Sequence, residues 1–187
     1  MEKRRLDRDD WLRAARHALL RGGPAAVRVE TLAAQLKVTK GSFYWHFRDR
    51  AELLETILRE WEAETAQLVS HVNAYADARE GVTWLLEEVG RRVVVSERGE
   101  APSDAAIFAW SAVAPAVARR VARVETERLE FFERFTGSRE RGELAYLCYL
   151  GFLDRRRRVP GMSQRFKAVM EALLALVSEP QLEREPA

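Results

Sequence analysis

The stretch Val38-Thr39-Lys40-Gly41-Ser42-Phe43-Tyr44-Trp45-His46-Phe47 packs cationic, hydroxyl and aromatic side chains into little more than two helical turns. It follows a short apolar helix pattern, Val29-Glu30-Thr31-Leu32-Ala33-Ala34-Gln35-Leu36, after a very brief break. Two short helices in tandem, the second carrying polar aromatics and a lysine, are what a helix-turn-helix reader of DNA needs. At about 100° per residue, Phe43 and Phe47 share a face that turns to a core, while Gly41 and Trp45 point outward beside Ser42 and Tyr44. The Ser42 and Tyr44 hydroxyls, the His46 ring and the Lys40 ammonium can hold phosphates. Gly41 lets the backbone come close to a duplex, and Trp45 can lie against a thymine methyl or a sugar. Thr39 is placed to cap the helix through its hydroxyl.

Charge supports this reading. Residues 1–50 hold 12 Lys+Arg against 6 Asp+Glu, a net of +6, whereas the rest holds 19 against 23, a net of −4. That asymmetry points to a nucleic-acid end and an end with another task. With only 10 Gly and 6 Pro, and with Ala, Leu, Glu and Arg abundant, the composition is that of an all-α protein. The Val93-Val94-Val95 triplet is the one β-like cluster, inside a pattern that otherwise reads as helix.

The periodicity predicts a first helix over residues 8–21, started by Asp7, Asp9 and Asp10 and ended by Gly22-Gly23-Pro24. A second covers residues 29–36, and the third begins after Thr39. A long fourth helix opens on the capping pair Asp49 and Glu52. Further helices follow over residues 81–96, from Ser103 as cap to Trp110, from Pro115 to a stop at Gly137, and over residues 140–155 and 163–177. The tail 179–187 is polar and expected to fray. Cys148, in an apolar run, is expected to be a buried, inert thiol. Arg155-Arg156-Arg157-Arg158 is expected at a helix end, hydrated and complementing the helix dipole. His17, His46 and His71 lack metal-ligand spacing, so neither a metal nor another cofactor is expected. No apolar stretch approaches the roughly 18 residues of a membrane span, and no signal peptide is visible, so a cytoplasmic protein without membrane association is expected.

Residues from about Asp9 to Leu58 resemble the DNA-binding domain of the TetR (tetracycline-repressor) family. The resemblance is carried by Ala14-Ala15, Leu19, Gly23, Leu32-Ala33, the run from Val38 to Phe47, and Arg50 with Leu53-Leu54. Lys40-Gly41-x-x-Tyr44-x-His46-Phe47 is its most specific part. The resemblance implies that Tyr44 and His46 grip phosphate, that Thr39 and Lys40 open the recognition helix, and that Arg50 fills the place of a phosphate-binding lysine. Two positions depart from the pattern. Lys37 stands where the turn usually carries glycine, which costs a little if φ is positive and offers another phosphate contact. Arg28 stands where the second helix often has a capping threonine.

The expected architecture is a three-helix helix-turn-helix domain, residues 1–50, followed by a helical ligand-binding and dimerisation domain, residues 51–187, with about nine helices in all. The helix around Leu144-Ala145-Tyr146-Leu147-Cys148-Tyr149-Leu150-Gly151 is apolar all round and must be covered on every side. A homodimer is therefore expected, with Leu144, Leu147, Cys148 and Gly151 meeting Phe166, Met170, Leu173, Leu174 and Val177 in a four-helix interface. Trp61, Thr65, Leu68, Trp84, Glu88, Phe108, Trp110, Phe131 and Phe135 are candidates to line a pocket for a small hydrophobic effector. The expected function is a dimeric transcriptional regulator, a repressor released from a palindromic double-stranded operator by that effector. A constitutive DNA-bound regulator without effector stays open. An enzyme using the helical cavity has no nucleophile–base pair, phosphate loop or metal motif behind it.

Overall fold

A computed structural model describes residues 6–156 and 158–178. Among these residues there are nine α-helices, one short 3-10 turn (Met162–Arg165) and no strand. No helix among them is long and apolar enough to cross a membrane. The three N-terminal helices are α1 (Arg8–Ala26), α2 (Val29–Gln35) and α3 (Lys40–Tyr44). Behind them run α4 (Arg50–Asn73), α5 (Ala78–Glu97), α6 (Asp104–Ser111), α7 (Pro115–Thr136), α8 (Arg139–Arg156) and α9 (Phe166–Ser178). The tail 179–187 and Arg157 lie outside the described residues.

Local chemistry explains the starts and stops. Asp7 and Asp10 form a reciprocal capping box on α1, with the Asp7 side chain accepting from the Asp10 N–H at 2.9 Å and Asp10 accepting from the Asp7 N–H at 3.1 Å. The expected break at Gly22-Gly23 is a kink: both residues leave helical geometry, Gly23 at φ 67°, and Pro24 opens one further turn that ends at Ala26. Asp49 accepts from the Glu52 N–H at 2.8 Å, while Glu52 reaches back one residue further, to the Arg48 N–H at 2.7 Å. Gly137, at φ 66°, ends α7. Ser103 takes the N-cap position of α6, but its hydroxyl is buried and makes no capping bond, contrary to expectation. Thr39 likewise sits at the N-cap of α3 without a side-chain cap and stays exposed.

The three N-terminal helices do not have a core of their own. Trp11, Leu12, Leu32, Phe43 and Phe47 pack in one cluster with Leu53, Ile57 and Leu58 of α4, Ile107 of α6, and Val117, Val121 and Val124 of α7. A second cluster joins Val93 of α5 to Phe152 and Leu153 of α8 and to Phe166 and Met170 of α9. A smaller third gathers Val72, Val82 and Phe131. Helices α7 and α8 lie so close that a Cβ on Gly142 would stand 2.8 Å from the Glu133 backbone nitrogen.

The all-round apolar reading of α8 resolves into two faces. Ala145, Tyr146, Phe152 and Leu153 turn inward, while Leu144 (53% exposed), Leu147 (56%), Cys148 and Gly151 face out. Cys148 is thus exposed rather than buried, because it shares the i, i+3, i+4, i+7 stripe of Leu144, Leu147 and Gly151. On α9 the inward residues are Phe166, Met170 and Val177, with Leu173 and Leu174 half-buried. Phe166, Met170 and Val177 therefore pack inside the chain itself, and the exposed apolar residues of α9 are Ala168, Ala172, Ala175 and Leu176. Arg156 also departs from expectation. It falls on the inner face of α8, its side chain is 4% exposed, and it donates to the Val93 carbonyl at 3.1 Å and to Glu97 at 3.2 Å. Arg158 pairs with Asp154 at 2.7 Å.

Candidate DNA-reading surface and internal cavity

Phe43 is the anvil of α3. It is fully buried, meets Trp11 edge-on at 5.3 Å and stacks on Phe47 at 5.5 Å. With that face sealed, the next residues must point away. Tyr44 is 60% exposed, its ring edge-on to Phe43 at 5.3 Å, and Trp45 is 83% exposed. Thr39, Lys40 and Gly41 are exposed, and Ser42 and His46 are half-buried beside them. Lys40 reaches Glu30 of α2 at 2.6 Å; both side chains are more than half exposed, so the pair is weak and open to competition from phosphate. The Lys40 ammonium and the neighbouring hydrogen bonds hold the Glu30 carboxyl below its usual pKa.

Lys37 adopts φ 56° in the turn between α2 and α3, the left-handed region where glycine is at ease. Its side chain is exposed. Arg28 occupies the N-cap of α2 and supplies no capping oxygen. Arg50 donates to the Val27 carbonyl at 2.6 Å and also to the Pro24 carbonyl, tying the end of α1 to the start of α4. Its guanidinium is therefore engaged with backbone, a role that spacing alone did not reveal.

Residues 12–57 match the family model of bacterial regulatory proteins, tetR family. The N-terminal domain is a tetR-family helix-turn-helix domain. Its matched span ends at Ile57, inside the apolar stripe of α4 that completes the shared core. A solved structure of a candidate TetR-family transcriptional regulator from Mesorhizobium loti MAFF303099 is similar over 94% of this chain and 98% of that chain, with a TM-score of 0.51 and 16% sequence identity. That likeness extends the shared fold to the helices behind the tetR-family domain. No curated protein matches the chain.

Behind the tetR-family domain, a cavity of about 120 Å³ lies among α4, α5, α7, α8 and α9. Four of the expected pocket residues line it: Trp61, Thr65, Leu68 and Phe131. The other five do not. Trp84 stacks on His71, ring centroids 4.0 Å apart, on the outer side of the α4–α5 hairpin. Glu88 binds Arg91 and Arg92. Phe108 and Trp110 pack against the first core cluster, and Phe135 against the third. Aromatic residues at helical spacing filled gaps between helices, as such residues usually do.

The chemistry of the cavity joins two of the expected residues, Trp61 and Thr65, to three that were not expected there, Asp104, Arg128 and Tyr149. Asp104, at the start of α6, accepts hydrogen bonds from Trp61 Nε1, from Arg128 Nη1 at 2.8 Å and Nη2 at 3.1 Å, and from the Tyr149 hydroxyl at 2.6 Å. Arg128 also donates to Thr65 Oγ1 at 2.9 Å. One carboxylate thus joins α4, α6, α7 and α8. Burial pushes the Asp104 carboxyl up, but the Arg128 charge and the donated hydrogen bonds outweigh it and hold the group below its usual range. Burial lifts the Tyr149 phenol well above its usual value. At Glu64, burial outweighs Arg92 and raises the pKa. These partners lie 24 to 63 residues apart in the chain, so no local motif announces them.

Proposed function

We propose that the protein is a homodimeric transcriptional repressor that grips a palindromic operator through its tetR-family domains and releases it when a small molecule fills the cavity. The exposed Tyr44 and Trp45, held from behind by fully buried Phe43 and Phe47, carry this reading. In it Lys37, Thr39, Lys40, Gly41, Ser42, Tyr44, Trp45 and His46 form the contact surface, with phosphates held by the hydroxyl and cationic groups and Trp45 against base edges. The outer stripe Leu144, Leu147, Cys148 and Gly151 of α8, with Leu176 of α9, supplies the apolar surface for dimerisation. Two reading helices about 34–36 Å apart would enter successive major grooves.

The route from cavity to DNA favours effector control. Ser96, Pro102 and Asp104 line the cavity, the first near the end of α5, the second within the loop between α5 and α6, and the third at the start of α6. That loop presses on α1: a Cβ on Gly99 would stand 2.6 Å from the Arg13 carbonyl oxygen. Arg16 of α1 donates to the Gly99 and Glu100 carbonyls at 3.4 and 3.3 Å and to Glu60 of α4. A ligand that moves the loop moves the helix under the reading head.

An electrophoretic shift titration on an operator selected from random DNA tests the DNA surface. Tyr44→Ala and Lys40→Ala weaken binding broadly, and Lys40→Ala lowers the salt slope by about 1. Wild-type affinity in both variants would show that α3 does not face the duplex. Lys37→Gly separates two effects of one residue. It relieves the left-handed backbone and raises stability by about 0.5–1 kcal/mol, yet it weakens operator binding by removing a cation. Thermal melting and the same titration should move in opposite directions; a melting temperature that falls would refute the strain assigned to Lys37.

A further inference from the structure

The size of the cavity limits what can fill it. Its volume of about 120 Å³ lies well below the roughly 300 Å³ at which sites for drug-sized molecules begin. It comes close to the roughly 150 Å³ of an engineered apolar cavity that stays dry and takes up benzene or xenon. A single ring suits such a space, and a second fused ring overfills it. The walls draw on two core clusters, the second through Phe166 and Met170 and the third through Val82 and Phe131. Leu86 lines the cavity and packs against both clusters, so the space lies at the seam between two separately packed groups of side chains.

Charge argues against an ionic occupant. Each charged side chain on the wall already faces an opposite charge within the chain. Arg128 meets Asp104 at 2.8 Å and Arg156 meets Glu97 at 3.2 Å. Arg92 meets Glu64 at 2.6 Å and Glu88 at 2.9 Å, so it keeps a counter-ion even where burial favours a proton on Glu64. A carboxylate or ammonium entering the cavity would give up its hydration without gaining an unmatched partner. The uncharged polar groups are engaged as well. Tyr149 donates to Asp104 at 2.6 Å, Tyr146 to Glu125 at 3.2 Å and Ser96 to the Val93 carbonyl at 3.0 Å, while Thr65 accepts from Arg128 at 2.9 Å. Water, which needs about two to four polar partners, is poorly served by such a wall. What the wall offers an occupant is apolar surface.

We propose that the cavity binds a neutral, apolar molecule about the size of one benzene ring, held by apolar contact and not by a charged head group. The assignment rests on the effector reading above and names the ligand class for it. The two fail separately, because binding is measured without DNA.

Fluorobenzene serves as the probe, its fluorine NMR line broadening on addition of the full chain. Benzene, naphthalene, benzoate and benzylammonium then compete with it. Benzene displaces the probe with a dissociation constant of about 1 mM or tighter. Benzoate and benzylammonium each bind at least about tenfold more weakly than benzene, since no free counter-ion replaces their hydration. Naphthalene also binds at least about tenfold more weakly, because its second ring overpacks the site. Leu86→Trp fills the space and abolishes the broadening. Leu86→Ala, which keeps the test open if the tryptophan variant does not fold, enlarges the space and raises naphthalene affinity at least about tenfold. No broadening with the wild type overturns the proposal, as does benzoate, benzylammonium or naphthalene binding as tightly as benzene, or a Leu86→Ala variant with wild-type preference. Benzene that binds but leaves the operator complex intact in the shift assay upholds the ligand class and defeats the effector reading.

Discussion

Asp104→Ala lowers stability by about 3–5 kcal/mol, because it strands the Arg128 guanidinium in the interior without its counter-ion. The same change removes the acceptor for Trp61 Nε1 and the Tyr149 hydroxyl, leaving both donors in a low-dielectric site. Urea unfolding followed by helical circular dichroism should show a midpoint well below that of the wild type. Replacing both partners, Asp104→Leu with Arg128→Met, recovers the part of the loss that comes from the stranded charge, while Trp61 Nε1 and the Tyr149 hydroxyl still lack their acceptor. A single variant as stable as the wild type would mean that the pair is not buried. Acid should act in the same direction. The folded-state carboxyl of Asp104 titrates below its unfolded value of about 3.9, so its contribution is present above that pH and is lost as pH falls through the folded pKa.

Phe43→Ala is the second large effect. Phe43 is fully buried against Trp11 and Phe47, and truncating such a ring costs about 3–5 kcal/mol in lost transfer energy and cavity. The damage spreads beyond the reading head, because its cluster runs on through Ile57, Leu58 and Ile107. Tyr44 also loses the ring it leans on. Operator binding should therefore vanish even at temperatures where the variant stays folded. Phe43→Leu, which refills much of the volume, should restore most of the stability and part of the binding. Unfolding midpoints and shift assays on the two variants check both halves; an alanine variant that melts with the wild type would contradict the packing described.

Much of the reading surface is legible in the chain because it is local. The i, i+4 spacing of Phe43 and Phe47 sets one face inward and leaves Tyr44 and Trp45 outside, with no information needed from elsewhere. Helix starts at Asp7 and Asp49 were readable for the same reason: a carboxylate three residues ahead of a free N–H bonds within one turn. Thr39 and Ser103 had the same signal and make no such bond, since a hydroxyl's rotamer answers to its surroundings as well as to its own backbone. The cavity was the least legible part. Of the large aromatics, Trp110 and Phe135 pack against core clusters and Trp84 against His71, whereas Asp104 and Arg128 carry no local signal and Tyr149 stands in the apolar run of α8.

The N-terminal basic bias, the all-helical build and the two faces of α3 follow from the sequence by itself, because composition, charge and helical period act over a few residues. Which side of α8 and α9 faces inward, the burial of Arg156, and the meeting of four helices at Asp104 were decided only in the tertiary structure. A helix that is apolar on two sides states no preference between them. An ion pair between α6 and α7 is set by where those helices cross, a consequence of packing the whole chain rather than of any segment within it.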